Sequence, residues 1–391
     1  MLIGQFSESY PPVLDGVGEV VFDYVHELRR LGDDCYAIVS GWGGGSLDYD
    51  KKKGDEKVLR SIMHVIPMIS PYGYTKIRKE VKDKVNSLDF DIVHAHSPFM
   101  MGRYAIKTAR KKNIPVVMTF HSQFKKDIKR VVKSEFITSL VLKYVIHSFE
   151  MADYVWAVND ASGRVLRSYG YKGEIETVRN FCNFNKPDDG EYQKLRKEGR
   201  EYLGIKDGPV AMFIGQQRKE KNLDLVLAAM RILKEEGFEC TLISVGSGPD
   251  SEKYQKMVRE YQIQDNVIFT GQIHDRELLK KVYAASDLMT FPSLYDNASI
   301  VLIEAAALRL PALLIEGAVC SEGTKNGYNA FLTKEDEKTY AKEMRRILSD
   351  DRMREEVGKN AQKSIYRSKE DAARDVRERY ERIIADYGKT H

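Results

Sequence analysis

Two carboxylates, Asp296 and Glu304, bracket a stretch in which a strand-like apolar run gives way to a helix-like one. An ionised carboxylate only accepts hydrogen bonds. Glu304 can therefore take both hydroxyls of a ribose diol, while Asp296 can hold a sugar hydroxyl or steady a developing positive centre. The backbone amides of Asn297, Ala298, Ser299 and Ile300 open the helix, where unpaired N–H groups and the helix dipole favour a diphosphate. In an open parallel sheet, ligands bind beyond the carboxyl ends of the strands, which is where this corner falls. The combination points to a nucleotide-sugar site. A plainer reading also stands at this point: Asp296 or Ser299 as an N-cap and Glu304 as a solvated helix residue.

Two further segments carry compatible chemistry. Asp15-Gly16-Val17-Gly18 follows a first strand, and its small residues let backbone approach a phosphate as the next helix starts, although a tight turn explains the glycines equally well. It is not the G-x-G-x-x-G dinucleotide fingerprint. Later, a strand ends at Gly215, and Arg218 and Lys221 follow as cations able to neutralise a departing diphosphate, with solvated loop charges as the alternative.

The elements that must position these residues alternate between short apolar runs and longer amphipathic ones, the signature of parallel sheets with crossover helices. Strands are expected at 2–6, 35–40, 92–96, 116–121 and 154–158, with helices around 18–31, 102–112 and 136–151. The pattern then restarts, with strands at 210–215, 240–245, 267–270, 288–291 and 312–316. This gives two Rossmann-like α/β domains, 1–185 and 186–369. A charged helical tail, about 370–391, carries Tyr380, Ile383 and Ile384 as apolar anchors that pack back on the first domain. Two such domains whose strand ends face one another leave a cleft that closes to exclude water.

Composition narrows the functional classes. A chain of 391 residues with 42% hydrophobic residues supports two buried cores. No segment approaches twenty uninterrupted apolar residues and the start lacks a signal-peptide pattern, so a cytosolic protein is expected. Cys35, Cys182, Cys240 and Cys320 have neither metal-ligand nor disulfide spacing. The net charge is only +4, but basic residues cluster at 51–53, 76–84 and 107–133. Between about 124 and 145, apolar residues recur at helical spacing with lysines on other faces. Such a basic amphipathic helix can lie on an anionic membrane at the inner face, steer an anionic substrate, or simply pack on its own domain. Nucleic acid is not indicated, because no aromatic interleaving accompanies the charge.

In this order, Asp15-Gly16-Val17-Gly18, Asp91-Ile92-Val93-His94-Ala95-His96, Thr119-Phe120-His121, Gly215 with Glu220-Lys221-Asn222, Val245-Gly246-Ser247-Gly248-Pro249, Phe269-Thr270-Gly271 and the carboxylate pair resemble the retaining glycosyltransferases of family 4. The resemblance covers nearly the whole chain. It implies a GT-B fold and transfer of a hexosyl unit from a nucleotide-diphosphate sugar, UDP-sugar favoured, to an acceptor hydroxyl on a membrane glycolipid, lipid-linked saccharide or soluble sugar. It also implies that no metal or other cofactor is needed.

By the same resemblance, His121 serves the donor sugar or the charge near the reacting carbon, Lys221 the diphosphate, and Glu304 the ribose. Gly16 and Gly215 line the donor, the base meets the loop at Gln272, and Asp15 and His96 lie on the acceptor side. The family's Glu, seven residues, Glu signature opens here with Asp296, and Gln216 stands where the family usually has arginine, leaving Arg218 as the nearby cation. Arg179-Asn180-Phe181-Cys182-Asn183 departs from the family's Pro-Asn-Gly-Val-Asp. A nucleotide-sugar epimerase or a non-catalytic nucleotide-sugar binder shares the fold and stays open.

Overall fold

The run Leu2–Ser7 is buried on both faces along almost its whole length, as a central parallel strand requires. It nucleates the first of two units described by a computed structural model covering residues 1–12, 15–42, 45–65, 73–205 and 207–390. One unit comprises Met1–Phe181 with Lys369–His391 and the other Cys182–Ser368. The chain therefore leaves the first unit four residues earlier than the 185/186 boundary read from the polar stretch near Pro187.

The first unit holds an eight-stranded sheet: β1 (Leu2–Ser7), β2 (Asp34–Trp42), β3 (Val58–Val65), β4 (Gly73–Lys76), β5 (Ile92–Ala95), β6 (Val116–Phe120), β7 (Tyr154–Ala157) and β8 (Glu176–Thr177). Their order is β4-β3-β2-β1-β5-β6-β7-β8. All neighbours are parallel except β3 and β4, which pair antiparallel. The second unit has six parallel strands in the order β11-β10-β9-β12-β13-β14. These are β9 (Val210–Ile214), β10 (Thr241–Val245), β11 (Val267–Gly271), β12 (Leu288–Phe291), β13 (Ala312–Ile315) and β14 (Phe331–Thr333). In each sheet the strand order reverses direction beside the unit's first strand, between β1 and β5 and between β9 and β12, the switch points at which such sheets hold ligands.

Sequence periodicity gave five strands per unit, so four were missed. β3 carries polar residues such as Arg60 on an outer strand, and β4, β8 and β14 are two to four residues long, below the length at which a period can be read. The single helix expected over about 124–145 is also corrected. Two helices, Phe124–Val131 and Glu135–Glu150, replace it. The chain turns extended at Val132, and the Ser134 hydroxyl accepts from the Ile137 N–H at 3.4 Å as a fresh N-cap.

The tail forms the helix Lys369–Thr390 and docks on the first unit as expected. Tyr380 is fully buried and stacks on Trp156 with ring centroids 5.8 Å apart and planes 8° apart. Arg377 pairs with the buried Asp33 at 2.9 Å, and Arg379 pairs with Glu176. Each unit has its own core, with Phe6, Val93, Met118 and Phe149 in the first and Val210, Leu242, Met289 and Leu313 in the second.

Candidate active site

In the second unit, three strand ends are laced into one floor. Gly215 donates its N–H to Val245 O at 3.1 Å, Gly246 to Gly271 O at 2.8 Å, and Gln217 to Ser247 O at 3.1 Å. Gly246 has φ of +118°, and a Cβ there would lie 2.2 Å from Gly215 O, so only glycine lets the two loops meet. Gln216 is exposed, whereas Gln217 turns inward and its Nε2 donates to Ser244 Oγ at 3.2 Å.

The 3-10 turn Lys219–Lys221 follows and aims Lys221 at the carboxylate corner, where Nζ contacts Asp296 Oδ1 at 2.6 Å. Two buried polar atoms beside this pair, Asp296 Oδ2 and Arg218 Nε, have no hydrogen-bond partner among the described residues. Burying such groups unmatched costs about 1–3 kcal/mol each. Arg218 also makes no ion pair among the described residues.

The capping reading of the corner is not what folds. Ser299 precedes the helix Ile300–Ala307 in extended backbone, and its hydroxyl makes no capping hydrogen bond. Glu304 is only 2% exposed, which removes the solvated-residue reading. Its Oε1 is paired with Arg276 and its Oε2 accepts from the Tyr283 hydroxyl at 2.7 Å. Burial, with the Glu304 charge added, pushes the Tyr283 hydroxyl well above its ordinary pKa, so it stays a donor. A carboxylate has about four acceptor sites, and these two donors leave Glu304 room for a diol. Arg276 also donates to Asn183 Oδ1 at 2.5 Å and lies over the Phe184 ring at 4.6 Å. Thus the 179–183 stretch that departs from the family pattern supplies a partner to the carboxylate site. Gln272 is exposed in the loop after β11.

Sequence reasoning missed Arg276, Tyr283 and Asn183. The available signal was a helix beginning at Arg276 whose seventh-residue neighbour, Tyr283, lies on the same face two turns on.

The first unit builds a different site. His96 and His121 follow β5 and β6, and their rings meet with His96 Nδ1 3.1 Å from His121 Nε2. His96 Nε2 contacts Gln5 Oε1 at 2.7 Å, Gln5 Nε2 contacts the Tyr380 hydroxyl at 3.0 Å, that hydroxyl lies 2.6 Å from His94 Nδ1, and His94 Nε2 lies 2.7 Å from Thr119 Oγ1. Burial lowers the pKa of His121 to about 4 and holds His94 and His96 well below the usual histidine range, with neighbouring imidazoles adding to the effect on those two.

Asp15 and Gly16 lie at the start of the helix that follows β1. Asp15 caps the helix Gly16–Arg30, with Oδ1 accepting from Gly18 N at 2.8 Å and Oδ2 held by Ser9. Nearby Glu8, just past β1, accepts from Met101 N at 2.7 Å, while its Oε2 is buried without a partner among the described residues. Burial raises its pKa to about 7. Among the described residues no cluster of three or more histidine, cysteine, aspartate or glutamate side chains is placed to hold a metal ion.

Known proteins resemble this chain over most of its length. Residues 14–186 match the family described as Glycosyltransferase Family 4, and residues 196–364 match Glycosyl transferases group 1. The alpha-monoglucosyldiacylglycerol synthase of Streptococcus pneumoniae is 27% identical over 80% of this chain and 70% of its own length. The enzyme of the same name from Acholeplasma laidlawii is 24% identical over 86% of each. Among solved structures, Anabaena HepE in complex with UDP superposes with a TM-score of 0.74 at 16% identity, covering 97% of this chain and 99% of that one.

Proposed function

Because the chain belongs to the family 4 glycosyltransferases of GT-B fold, we propose that it is a retaining hexosyltransferase that moves a sugar from UDP to the hydroxyl of a membrane glycolipid. The observation that carries the reading is the Lys221–Asp296 pair, flanked by the orphaned Asp296 Oδ2 and Arg218 Nε. A donor resolves both orphans. Asp296 Oδ2 accepts a sugar hydroxyl, Arg218 takes a diphosphate oxygen, and Lys221 shares its charge between Asp296 and the phosphate. The start of the helix Ile300–Ala307, where the Ser299 side chain makes no capping hydrogen bond, adds dipolar stabilisation. Glu304, held by Arg276 and Tyr283, accepts the ribose diol in a fixed orientation, and His121 hydrogen-bonds a sugar hydroxyl.

In the transfer, the bond from the anomeric carbon to the β-phosphate oxygen breaks. The acceptor oxygen bonds to that carbon on the same face, and its proton passes to the leaving phosphate. The fixed cations and dipoles replace the metal that other transferases use for the departing diphosphate.

Two things support a membrane acceptor: the glycolipid products named for the two relatives, and the surface of the first unit. The helix Glu135–Glu150 exposes Phe136, Ile137, Leu140 and Tyr144, with Phe136 73% exposed, and Lys125, Lys133 and Lys143 are exposed nearby. Apolar side chains ringed by lysines suit the boundary of an anionic bilayer. No helix among the described residues is long and apolar enough to cross a membrane.

The test is a donor-by-acceptor screen read by release of nucleotide diphosphate, with the product anomer assigned by NMR. Release only when a glycolipid is present, and an α-product from an α-donor, support the proposal. Release without acceptor or C-epimerised donor indicates an epimerase, and no turnover with any donor indicates a binder. Vesicles of anionic lipid that neither bind the protein nor raise its rate overturn the membrane acceptor in favour of a soluble one.

A further inference from the structure

We infer that Tyr380, on the C-terminal helix, is a positioning residue for His121, fixing through Gln5 and His96 which nitrogen of the His121 ring carries the proton. Six side chains from β1, from β5 and β6 with the residues that follow them, and from the C-terminal helix form one continuous series: Thr119, His94, Tyr380, Gln5, His96 and His121. Consecutive polar atoms are 2.6 to 3.1 Å apart. Gln5, His94 and Tyr380 are at most 1% exposed, His96 is 2% exposed and Thr119 5%. Water therefore has little access to repair a mismatched link.

Each interior member can donate at one end only if it accepts at the other. A neutral imidazole has one N–H and one lone pair, a carboxamide bonded at both ends donates from nitrogen and accepts at oxygen, and a tyrosine hydroxyl has a single proton. The direction of one bond therefore dictates the next. With Gln5 Nε2 turned to Tyr380, Tyr380 donates to His94 Nδ1 and His94 Nε2–H donates to Thr119. On the other side, His96 Nε2–H donates to Gln5 Oε1, His96 Nδ1 accepts, and His121 donates from Nε2–H. His121 is then the Nε2–H tautomer, with Nδ1 the acceptor. Reversing only part of the series sets two lone pairs or two hydrogens against each other in a buried place, a cost of about 1–3 kcal/mol. The depressed pKa values of the three histidines keep them neutral, as the series requires.

Tyr380 is the hub because both Gln5 and His94 meet its one oxygen. Tyr380→Phe removes that oxygen while preserving the ring that stacks on Trp156, freeing the Gln5 carboxamide to rotate.

The inference concerns His121 in the site proposed above, but its main test needs no substrate. Nitrogen-15 NMR of the histidine-labelled full chain is expected to show His121 as a single Nε2–H tautomer. In Tyr380→Phe and in Gln5→Met, which breaks the series at another link, the His121 shifts are expected to move to the averaged values of mixed tautomers. A wild-type His121 that is already mixed or is Nδ1–H, or His121 shifts unchanged in whichever of the two variants folds, overturns the inference. Turnover then tests the functional reading separately. If that reading holds, Tyr380→Phe lowers kcat about tenfold, the rate equivalent of one hydrogen bond left unmade, with donor KM unchanged. A tautomer change with no measurable turnover in any variant counts against the transferase reading and leaves the relay standing.

Discussion

The two units place their polar residues at the same topological point and solve the problem of burying them in opposite ways. Beside the β1/β5 switch, the first unit uses neutral groups matched one to one, with three histidines kept uncharged. Beside the β9/β12 switch, the second uses charges, Lys221 against Asp296 and Arg276 against Glu304, and leaves buried atoms such as Asp296 Oδ2 and Arg218 Nε unmatched among the described residues. A neutral network with matched ends resists rearrangement, whereas the orphaned carboxylate oxygen and guanidinium N–H of a charged one are completed by a ligand that brings both a hydroxyl and an anion. On the proposed function, the first unit orients and the second binds charge.

The sharpest way to break this contrast is Glu304→Ala. It removes the acceptor of the Arg276 and Tyr283 donors, and kcat/KM in a donor-turnover assay is expected to fall about a thousandfold. Full retained turnover would remove Glu304 from the site. Acid comes next. A histidine whose folded pKa lies below its unfolded value binds fewer protons when folded, so the stability at stake is whole above 6.5 and is lost as pH falls toward about 4. For His121 this is at most about 3 kcal/mol, and His94 and His96 shift the same way. Hydrogen exchange between pH 7 and pH 4.5 should therefore show the first unit opening well before the second.

Lys221→Ala is expected to cost about a hundredfold in kcat/KM by stripping one cation from the diphosphate. It should also weaken the salt dependence of donor binding, measured by titration calorimetry, because the second site acts through charge. The smallest effect lies at Glu8. Its folded pKa, near 7, exceeds the unfolded value, so stability is full below about 4.5 and declines as pH rises through 7. Glu8→Gln is expected to raise the stability of the first unit at pH 8 by about 2 kcal/mol in denaturant melts and to do nothing at pH 4.

How much of this was legible in the chain depended on what kind of signal each residue left. Parallel strands buried on both faces announce themselves as apolar runs, so β1, β2, β5 to β7 and β9 to β13 were readable, while β3, with Arg60 inside it, and the very short strands were not. The carboxylate corner was readable because Asp296, Glu304 and Lys221 are charged and occur in a known order. Their partners were not: nothing local says that Arg276 and Asn183, 93 residues apart, meet each other beside Glu304. The relay was hidden for another reason. Gln5 is a polar residue inside an apolar strand, a signal in itself, but the Tyr380 that satisfies it lies 375 positions later and looks from periodicity like an ordinary apolar anchor. The break in the basic helix turned on one hydroxyl, that of Ser134, which competes with helix continuation only because Val132 has already gone extended.

The course of the chain, which opens in one unit, builds the whole of the other and returns for its last helix, bears on how the protein is made. On a ribosome, Gln5, His94 and His121 emerge early, yet Tyr380, which completes their hydrogen bonds, emerges only after the whole of the second unit. Until that helix has been released, the first unit carries half-matched polar groups in its centre and Trp156 without its stacking partner. A chain cut short after Ser368 would keep every strand of both sheets and the entire charged site, and would still lack the piece that orders the histidines. The helix Lys369–Thr390 is thus expected to work as a clasp, without which the first unit has its strands but no fixed proton on His121.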